Sequence, residues 1–401
     1  MKHLKTMLAL WCVLFSSLLA YPASDSIKWD AFEVAQKALG DNLNYLGAIK
    51  KLKVIEGECS GSGAEKDMYL QAAMTYNAFV INNSNSDSLC QKKFSAFTIK
   101  EPFFNFISEG NDAIDEIAKR SKDHQVIMIN EIHWFSRERY FTNYLLNSFY
   151  NNGFRYLAME AIGEDGDSLT MRGYPIASTG IYTVDPRMAN TIRDAIEMGF
   201  TLVNYDYYGK EREYKQAENI YNKTLKLDTE AKVLVHAGGD HTNKCSGSKK
   251  MGYFFQEISG VEPFVIKQIK QVQLSKSDYK GIAIEESANV CVYDIGVING
   301  FDETDFLYKP HQSQKSIKIE KLIASFPKVD IIQESVFLSV YIEEEFLAEG
   351  LKAIPVVSYL VDNKFLNSSI KLPQGEYIVT IRNDEGEVIR QNKIDVTVDP
   401  I

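Results

Sequence analysis

Five short apolar runs, at 125–129, 154–159, 200–205, 232–236 and 263–268, punctuate the middle of this 401-residue chain, each bounded by turns or polar clusters. Runs of this length read as buried strands when amphipathic stretches separate them. Phe141, Tyr144, Leu145 and Phe149 share one helical face after the first run, and Met188, Ile192, Ala195 and Ile196 share one before the third. A polar helix is expected over 212–226 and another helix over 250–258. Strands alternating with helices predict a three-layer α/β/α domain over 121–300, its sheet largely parallel and ending near Val290–Val297.

The flanks follow other periods. Trp29, Phe32, Leu39, Leu43 and Leu46 recur at helical spacing, as do Tyr69, Ala72, Ala73, Tyr76 and Val80. Residues 24–120 are therefore expected to form a helical region packed on the core, with loops at Gly57–Gly63 and Asn82–Ser88. Beyond Gly300, Lys309-Pro310 and the polar tract His311–Ser316 read as a linker. Val336, Leu338, Val340 and Ile342 then alternate with other residues, as do Tyr377, Val379 and Ile381, and Asn383-Asp384-Glu385-Gly386 reads as a hairpin turn. A small all-β, β-sandwich-like accessory module over 315–401 is expected, separable after Tyr308, with its acids facing solvent. That segment has no His and no Cys, so its expected role is to dock on the α/β domain or to contact a cell-surface partner.

Composition changes the picture at the N-terminus. Lys2 and Lys5, the apolar stretch Met7–Leu19 and the small residues Ala20 and Ala23 have the form of a signal peptide over 1–23. No Cys follows the apolar stretch where a lipoprotein would carry one. A secreted or periplasmic protein is expected, with no transmembrane segment once the signal is removed. Removal takes Cys12 and leaves Cys59, Cys90, Cys245 and Cys291, an even number that suits disulfides in an exported chain. Cys59–Cys90 with Cys245–Cys291 gives the shortest loops, and the other two connectivities stay open. A net charge of −10 provides no basic face for phosphates, so nucleic acid is not an expected partner.

The chemistry gathers at the strand ends. Glu131 and His133, Glu160, Asp206 and His236 each close or follow one of four apolar runs. In open α/β sheets ligands bind outside the carboxyl ends of the strands. Of the five histidines beyond the signal (His124, His133, His236, His241 and His311), three fall at such ends or in the loop just after. Imidazole and carboxylate are ligands for zinc or manganese, and Glu131, His133, Glu160 and His241 would leave one position open to water. The same groups suit metal-free hydrolysis, with a histidine taking a proton from water. Ser136 has no nucleophile-elbow context. Gly238-Gly239 lets a ligand approach the backbone, and Arg212 can hold a carboxylate or an anionic substrate group in a fork. Tyr205, Tyr207 and Tyr208 around Asp206 are available to line a pocket, haem being a ligand they and histidine would suit.

In this order the residues resemble the superfamily that joins erythromycin-esterase-like proteins, ChaN-type haem-binding lipoproteins and Tiki/TraB proteins. Asn130-Glu131-Ile132-His133 is similar to its Gly-Glu-x-His motif, with Asn in place of Gly. The helix from Arg137 to Tyr150, the strand Gly153–Glu160, the stretch from Ala195 through Asp206 to Arg212-Glu213, and Gly238-Gly239-Asp240-His241 resemble the blocks that follow. The likeness covers about 120–270, and Gly238 stands where the esterase branch tends to have a second His. The resemblance implies Glu131, His133, Glu160 and His241 as a catalytic core supported by Arg212. Arg137, Asp206, His236, Gly238 and Gly239 are the expected substrate-binding set. Ester hydrolysis, metal-dependent proteolysis and haem binding all occur in that superfamily. The expectation is an exported hydrolase that cleaves an ester or amide bond in a small molecule or peptide. Zinc or manganese is the candidate cofactor. The alternative is a ligand-binding protein of ChaN type, with haem.

Overall fold

A computed structural model describes residues 30–60, 63–81, 89, 106–268, 282–287, 289–300, 308–324, 336–361, 368–383 and 385–397. The signal-peptide segment, Cys90 and the Asn82–Ser88 tract lie outside these residues. The strands are β1 (Phe106–Glu109), β2 (Val126–Glu131), β3 (Tyr156–Met159), β4 (Thr201–Asn204), β5 (Val233–Gly238), β6 (Phe264–Gln268), β7 (Ile282–Glu286) and β8 (Ile295–Asn299). They form one sheet in the order β1-β7-β8-β6-β2-β5-β3-β4. The run from β8 through β6, β2, β5 and β3 to β4 is parallel.

The apolar runs read as strands become β2–β6. Along the chain the last strand of the sheet is β8, where the sheet was expected to end; at its far edge β7 pairs antiparallel with β8, and β1 with β7. β1 comes from the region expected to be helical. Four residues on an edge, with Ile107 exposed, make too short a signal for alternation to show.

Helices α1 (Ala31–Leu39), α2 (Tyr45–Ile55) and α3 (Gly63–Ala78) precede the sheet. Within or after it come α4 (Asn111–Ser121), α5 (Ser136–Asn151), α6 (Gly166–Arg172), α7 (Pro186–Met198), α8 (Arg212–Lys223) and α9 (Met251–Ser259). Both faces of the sheet are covered, the arrangement a parallel sheet requires. Ile127, Ile129 and Leu234 pack with Phe141, Leu145, Met188 and Ile192 of α5 and α7. Val126, Met128, Val233 and Val235 pack with Ala217, Ile220, Met251 and Phe255 of α8 and α9. This is the three-layer α/β/α arrangement. None of the helices among the described residues is long and apolar enough to cross a membrane.

The C-terminal region contains β9 (Gln314–Lys318), α10 (Ile319–Ala324), β10 (Val336–Ile342), α11 (Glu343–Glu349), β11 (Val357–Val361), β12 (Ser369–Pro373), β13 (Gly375–Arg382) and β14 (Val388–Val396). Four of the strands make an antiparallel sheet, β11-β10-β13-β14, and β9 pairs with β12. Part of the expected linker is thus strand β9. Gly386, at φ +84°, takes the left-handed turn position between β13 and β14.

The inward-outward alternation expected of β10 is absent, because this strand is buried on both faces. Val336, Leu338 and Val340 pack with Ile370 and Leu372 of β12 and with Tyr140 of α5, while Phe337 on the other face joins the N-terminal helices. The Tyr45 and Phe337 rings lie 5.4 Å apart. Nor do the acids all face solvent: Glu345 is buried and holds Arg193 of α7 through two bonds of 2.8 and 2.6 Å. Asn190 Nδ2 of the same helix donates to Val356 O at 2.9 Å, and Arg382 Nη1 donates to Leu43 O at 3.1 Å. The module is therefore built into the rest of the molecule rather than appended to it.

Candidate functional site

The sheet register places the site. Ile129 pairs with His236 and Glu131 with Gly238, so the ends of β2 and β5 lie side by side, with β3 and its following residue Glu160 next to β5. Gly239 N donates to Glu131 O at 2.7 Å and Glu160 N to His236 O at 3.1 Å, which extends the parallel pairing into the loops.

Glu131 is buried and turned toward α5. Arg139 grips it from there, Nε at 2.8 Å from Oε2 and Nη2 donating to Oε1 at 3.0 Å. The other end of the guanidinium reaches Asp185 Oδ2 at 2.6 Å. Asp185 caps α7, accepting from Arg187 N at 2.8 Å, and receives Ser136 Oγ at 2.9 Å. Burial alone would raise the Glu131 carboxyl, but Arg139, the bond to His133 and nearby His236 outweigh it and hold it well below the usual carboxylate range.

His133 rests on that carboxylate, its Nδ1 at 2.7 Å from Glu131 Oε1. The ring stacks on Tyr182 at 4.0 Å between centroids and 10° between planes. A mirror arrangement stands opposite. His241 Nδ1 lies 2.8 Å from Glu213 Oε2, and Glu213 in turn accepts from Met251 N at 2.8 Å and from Lys250 Nζ at 3.1 Å.

Glu160 sits between the two imidazoles. Its Oε2 accepts from Gly238 N at 2.6 Å and its Oε1 from Arg212 Nη2 at 2.7 Å, with His241 Nε2 at 3.6 Å. His133 reaches the same place: a Cβ built on Gly238 would lie 2.6 Å from His133 Nε2 and 3.0 Å from Glu160 Oε2. Burial pushes the Glu160 carboxyl up, but His241, Arg212, His133 and the Gly238 N–H outweigh it and hold it low, at about 2. Burial pushes His241 down, yet Glu160 and the bond to Glu213 keep it above the ordinary histidine range. Asp206 supports Arg212, accepting from Nε at 3.1 Å and Nη2 at 3.0 Å, and takes Gln216 Nε2 at 2.5 Å.

The structure brings Glu131, His133, Glu160, His241 and Arg212 together. Asp206 and His236 lie behind them rather than facing open space: His236 is buried, with Nε2 at 3.6 Å from Glu131 Oε2. Gly238 is at the centre and Gly239, at φ +52°, turns the chain away. Arg137 does not belong to the cluster. Its guanidinium lies over the Phe135 ring at 5.3 Å, whereas Arg139, two residues on and buried, is the arginine that contacts Glu131. His124 packs against Phe264 and His311 against Tyr144, both away from the site. Tyr205 is buried, donating its hydroxyl to His236 O at 3.0 Å, so only Tyr207 and Tyr208 of that trio reach solvent.

Among the described residues no group of three or more His, Cys, Asp or Glu side chains is disposed to hold a metal ion. The two candidate carboxylates are already engaged. Both oxygens of Glu131 meet Arg139, and both of Glu160 meet Arg212 or Gly238 N.

Sequence reasoning missed Glu213, Arg139, Asp185 and Tyr182. Glu213 had a signal, since it follows Arg212 directly on the first turn of α8 and faces the same strand ends. The others had none in their own neighbourhood, because each acts across a helix or loop boundary.

The loop carrying His241 is closed by Cys245–Cys291, one half of the shortest-loop pairing. Its base is the buried Lys244, whose Nζ reaches Asp294 Oδ2 and Glu262 Oε1, both at 2.8 Å.

No family model matches the chain, and no curated protein does. Among solved structures it is similar to the type III effector HopBA1, with 11% identity over 51% of this chain and 100% of that one, at a TM-score of 0.33. It is also similar to RRSP, a MARTX toxin effector domain from Vibrio vulnificus CMCP6 (12% identity, 59% of this chain, TM-score 0.29). A third is the signal recognition particle receptor FtsY from Elizabethkingia anophelis (11% identity, 62% of this chain and 75% of that one, TM-score 0.22). The chain spans 56% of the RRSP chain. Likenesses at these scores carry no argument for what this chain does.

Proposed function

We propose that the chain is an exported hydrolase that cleaves an ester or amide bond, in keeping with its resemblance to erythromycin-esterase-like proteins. One observation carries the reading: two imidazoles, each bound at Nδ1 by a carboxylate, converge on Glu160. A carboxylate at Nδ1 keeps the proton there and leaves Nε2 as the basic nitrogen. In this reading His133 Nε2 takes a proton from water as the water oxygen bonds to the carbonyl carbon. His241, held toward its charged form, and Arg212 stabilise the oxyanion that develops. The tetrahedral intermediate then collapses, the bond to the leaving group breaks, and His133 returns the proton to that group. Glu160 stays ionised throughout, orienting Arg212 and His241 rather than donating a proton.

The test is a panel of esters, amides and peptides assayed with wild type and His133→Ala. Turnover on any substrate found should fall by about two to four orders of magnitude, the usual contribution of a general base. Full activity in the variant would remove His133 from this role. Elemental analysis of the untagged protein is the companion measurement. Near-stoichiometric zinc or manganese that disappears in His241→Ala would replace this mechanism with a metal-assisted one.

A further inference from the structure

Beside His241 and Glu213 the surface opens into a pocket of about 380 Å³, lined by Glu211, Arg212, Glu213, Tyr214, Lys249 and Phe254. Its volume falls at the small end of ligand pockets, about 300–1,000 Å³. Arg212 and Glu213 belong to both the pocket and the catalytic cluster, so the pocket adjoins the cluster.

Two of the six lining residues are aromatic and four are charged. Tyr214 and Phe254 meet edge to face, their ring centroids 5.6 Å apart. Exposed aromatic rings are concentrated here: Tyr207, Tyr208 and Tyr214 are 39%, 41% and 37% exposed, and they are the only aromatic residues among the large exposed apolar side chains of the described residues. Solvent-facing rings beside a pocket offer flat apolar area at little entropic cost.

The charges on the lining are unequally satisfied. Arg212 is engaged by Glu160 and Asp206, and Glu213 by His241 and Lys250. Glu211 acts on Lys215, one turn along α8. Lys249 is exposed and has no carboxylate within ion-pair distance among the described residues. Two non-glycine residues of the lining also hold left-handed backbone, Glu211 at φ +62° and Lys249 at φ +48°. Such conformations cost energy and concentrate where a loop must present a side chain in one direction.

We propose that this pocket is a substrate-binding subsite for an aryl group that carries a carboxylate, the ring against the Tyr214–Phe254 pair and the carboxylate on Lys249. The proposal deepens the hydrolase reading by naming the class of substrate, and it rests on that reading only for the consequence of binding.

Binding can be measured without turnover. Wild type, His133→Ala, Lys249→Met, Tyr214→Ala and Phe254→Ala would be titrated with 3-phenylpropanoate and its neutral amide, 3-phenylpropanamide, by ligand-observed NMR. Wild type and His133→Ala should bind the acid equally, and more tightly than the amide. Lys249→Met should abolish that preference. Tyr214→Ala and Phe254→Ala should weaken both ligands by about three- to tenfold. Tyr214 is exposed, so its variant serves if Phe254→Ala fails to fold. No binding of either probe, equal binding of the two by wild type, or a preference that survives Lys249→Met would each overturn the proposal. If the probes behave as expected and no ester or amide is hydrolysed, the subsite stands and the hydrolase reading fails. Hydrolysis without binding of the probes would leave the hydrolase reading in place and remove the subsite.

Discussion

A side chain at position 238 has nowhere to go, because its Cβ would lie 2.5 Å from His133 Cε1. Gly238→Ala must therefore push His133 off Tyr182 and away from Glu160. Misplacing a reacting group by about 1 Å can cost about a hundredfold in rate. The variant is expected to melt near wild type and to lose turnover on that scale, which circular dichroism and steady-state kinetics would check. A second residue-scale prediction concerns Glu138, which is buried and receives Ile132 N at 2.5 Å. Burial raises its carboxyl to about 8, despite the Ile132 N–H and Arg137. A folded-state value above the unfolded one means that the native state favours the proton. The associated stability is complete below about pH 4.5 and is lost as pH rises through about 8. Glu138→Gln should match wild type in melting temperature at pH 5 and exceed it at pH 8. An unchanged difference across that range would show that Glu138 is not neutral in the fold. At this scale the sequence was informative wherever a group lies at the end of its own strand, as for Glu131, His133 and Glu160. It was silent on Arg139, which is two residues from Arg137 and on a different side of α5. Only the start of the helix at Ser136 decides which arginine faces Glu131.

Helix α5 carries the element-scale lesson. Phe141, Leu145 and Phe149 gave the expected apolar stripe, but Ser136, Arg139 and Asn143 form a second, polar stripe at the same spacing, and it too is buried. Ser136 and Arg139 meet Asp185, while Asn143 Nδ2 donates to Asp194 Oδ2 at 3.0 Å. A polar stripe reads as a solvent face unless its partner is known, and here the partner is α7. The same ambiguity concealed α11, whose run of acids Glu343–Glu345 contains the buried partner of Arg193. Removing one member of a buried ion pair costs about 3–5 kcal/mol, whereas replacing both by apolar groups can be nearly neutral. Glu345→Leu should therefore destabilise by that amount in chemical denaturation. The double variant Arg193→Met with Glu345→Leu should recover most of the loss. Equal destabilisation by the single and double variants would mean that the pair is not the contact holding the two elements.

At the scale of the whole molecule, the order of regions and the parallel core were legible because strand and helix periods alternate cleanly along 121–300. The union of the C-terminal sheet with the rest was not, since a strand buried on both faces by residues about 300 positions away leaves no local trace. Truncation after Tyr308 would remove the partners of Tyr45, Ile81 and Arg193 at once. The shortened protein is expected to lose its cooperative thermal transition, which calorimetry would detect; a single sharp transition at the wild-type temperature would contradict it. Helix α7 gives this union a temporal meaning. Arg193, midway along it, waits for Glu345, and Asp185, at its N-cap, aligns Arg139 on Glu131. A chain still leaving the ribosome holds all of its proposed chemical groups well before it holds the last strand. On the proposed function, hydrolytic competence would then arrive late in synthesis, once the final segment is in place.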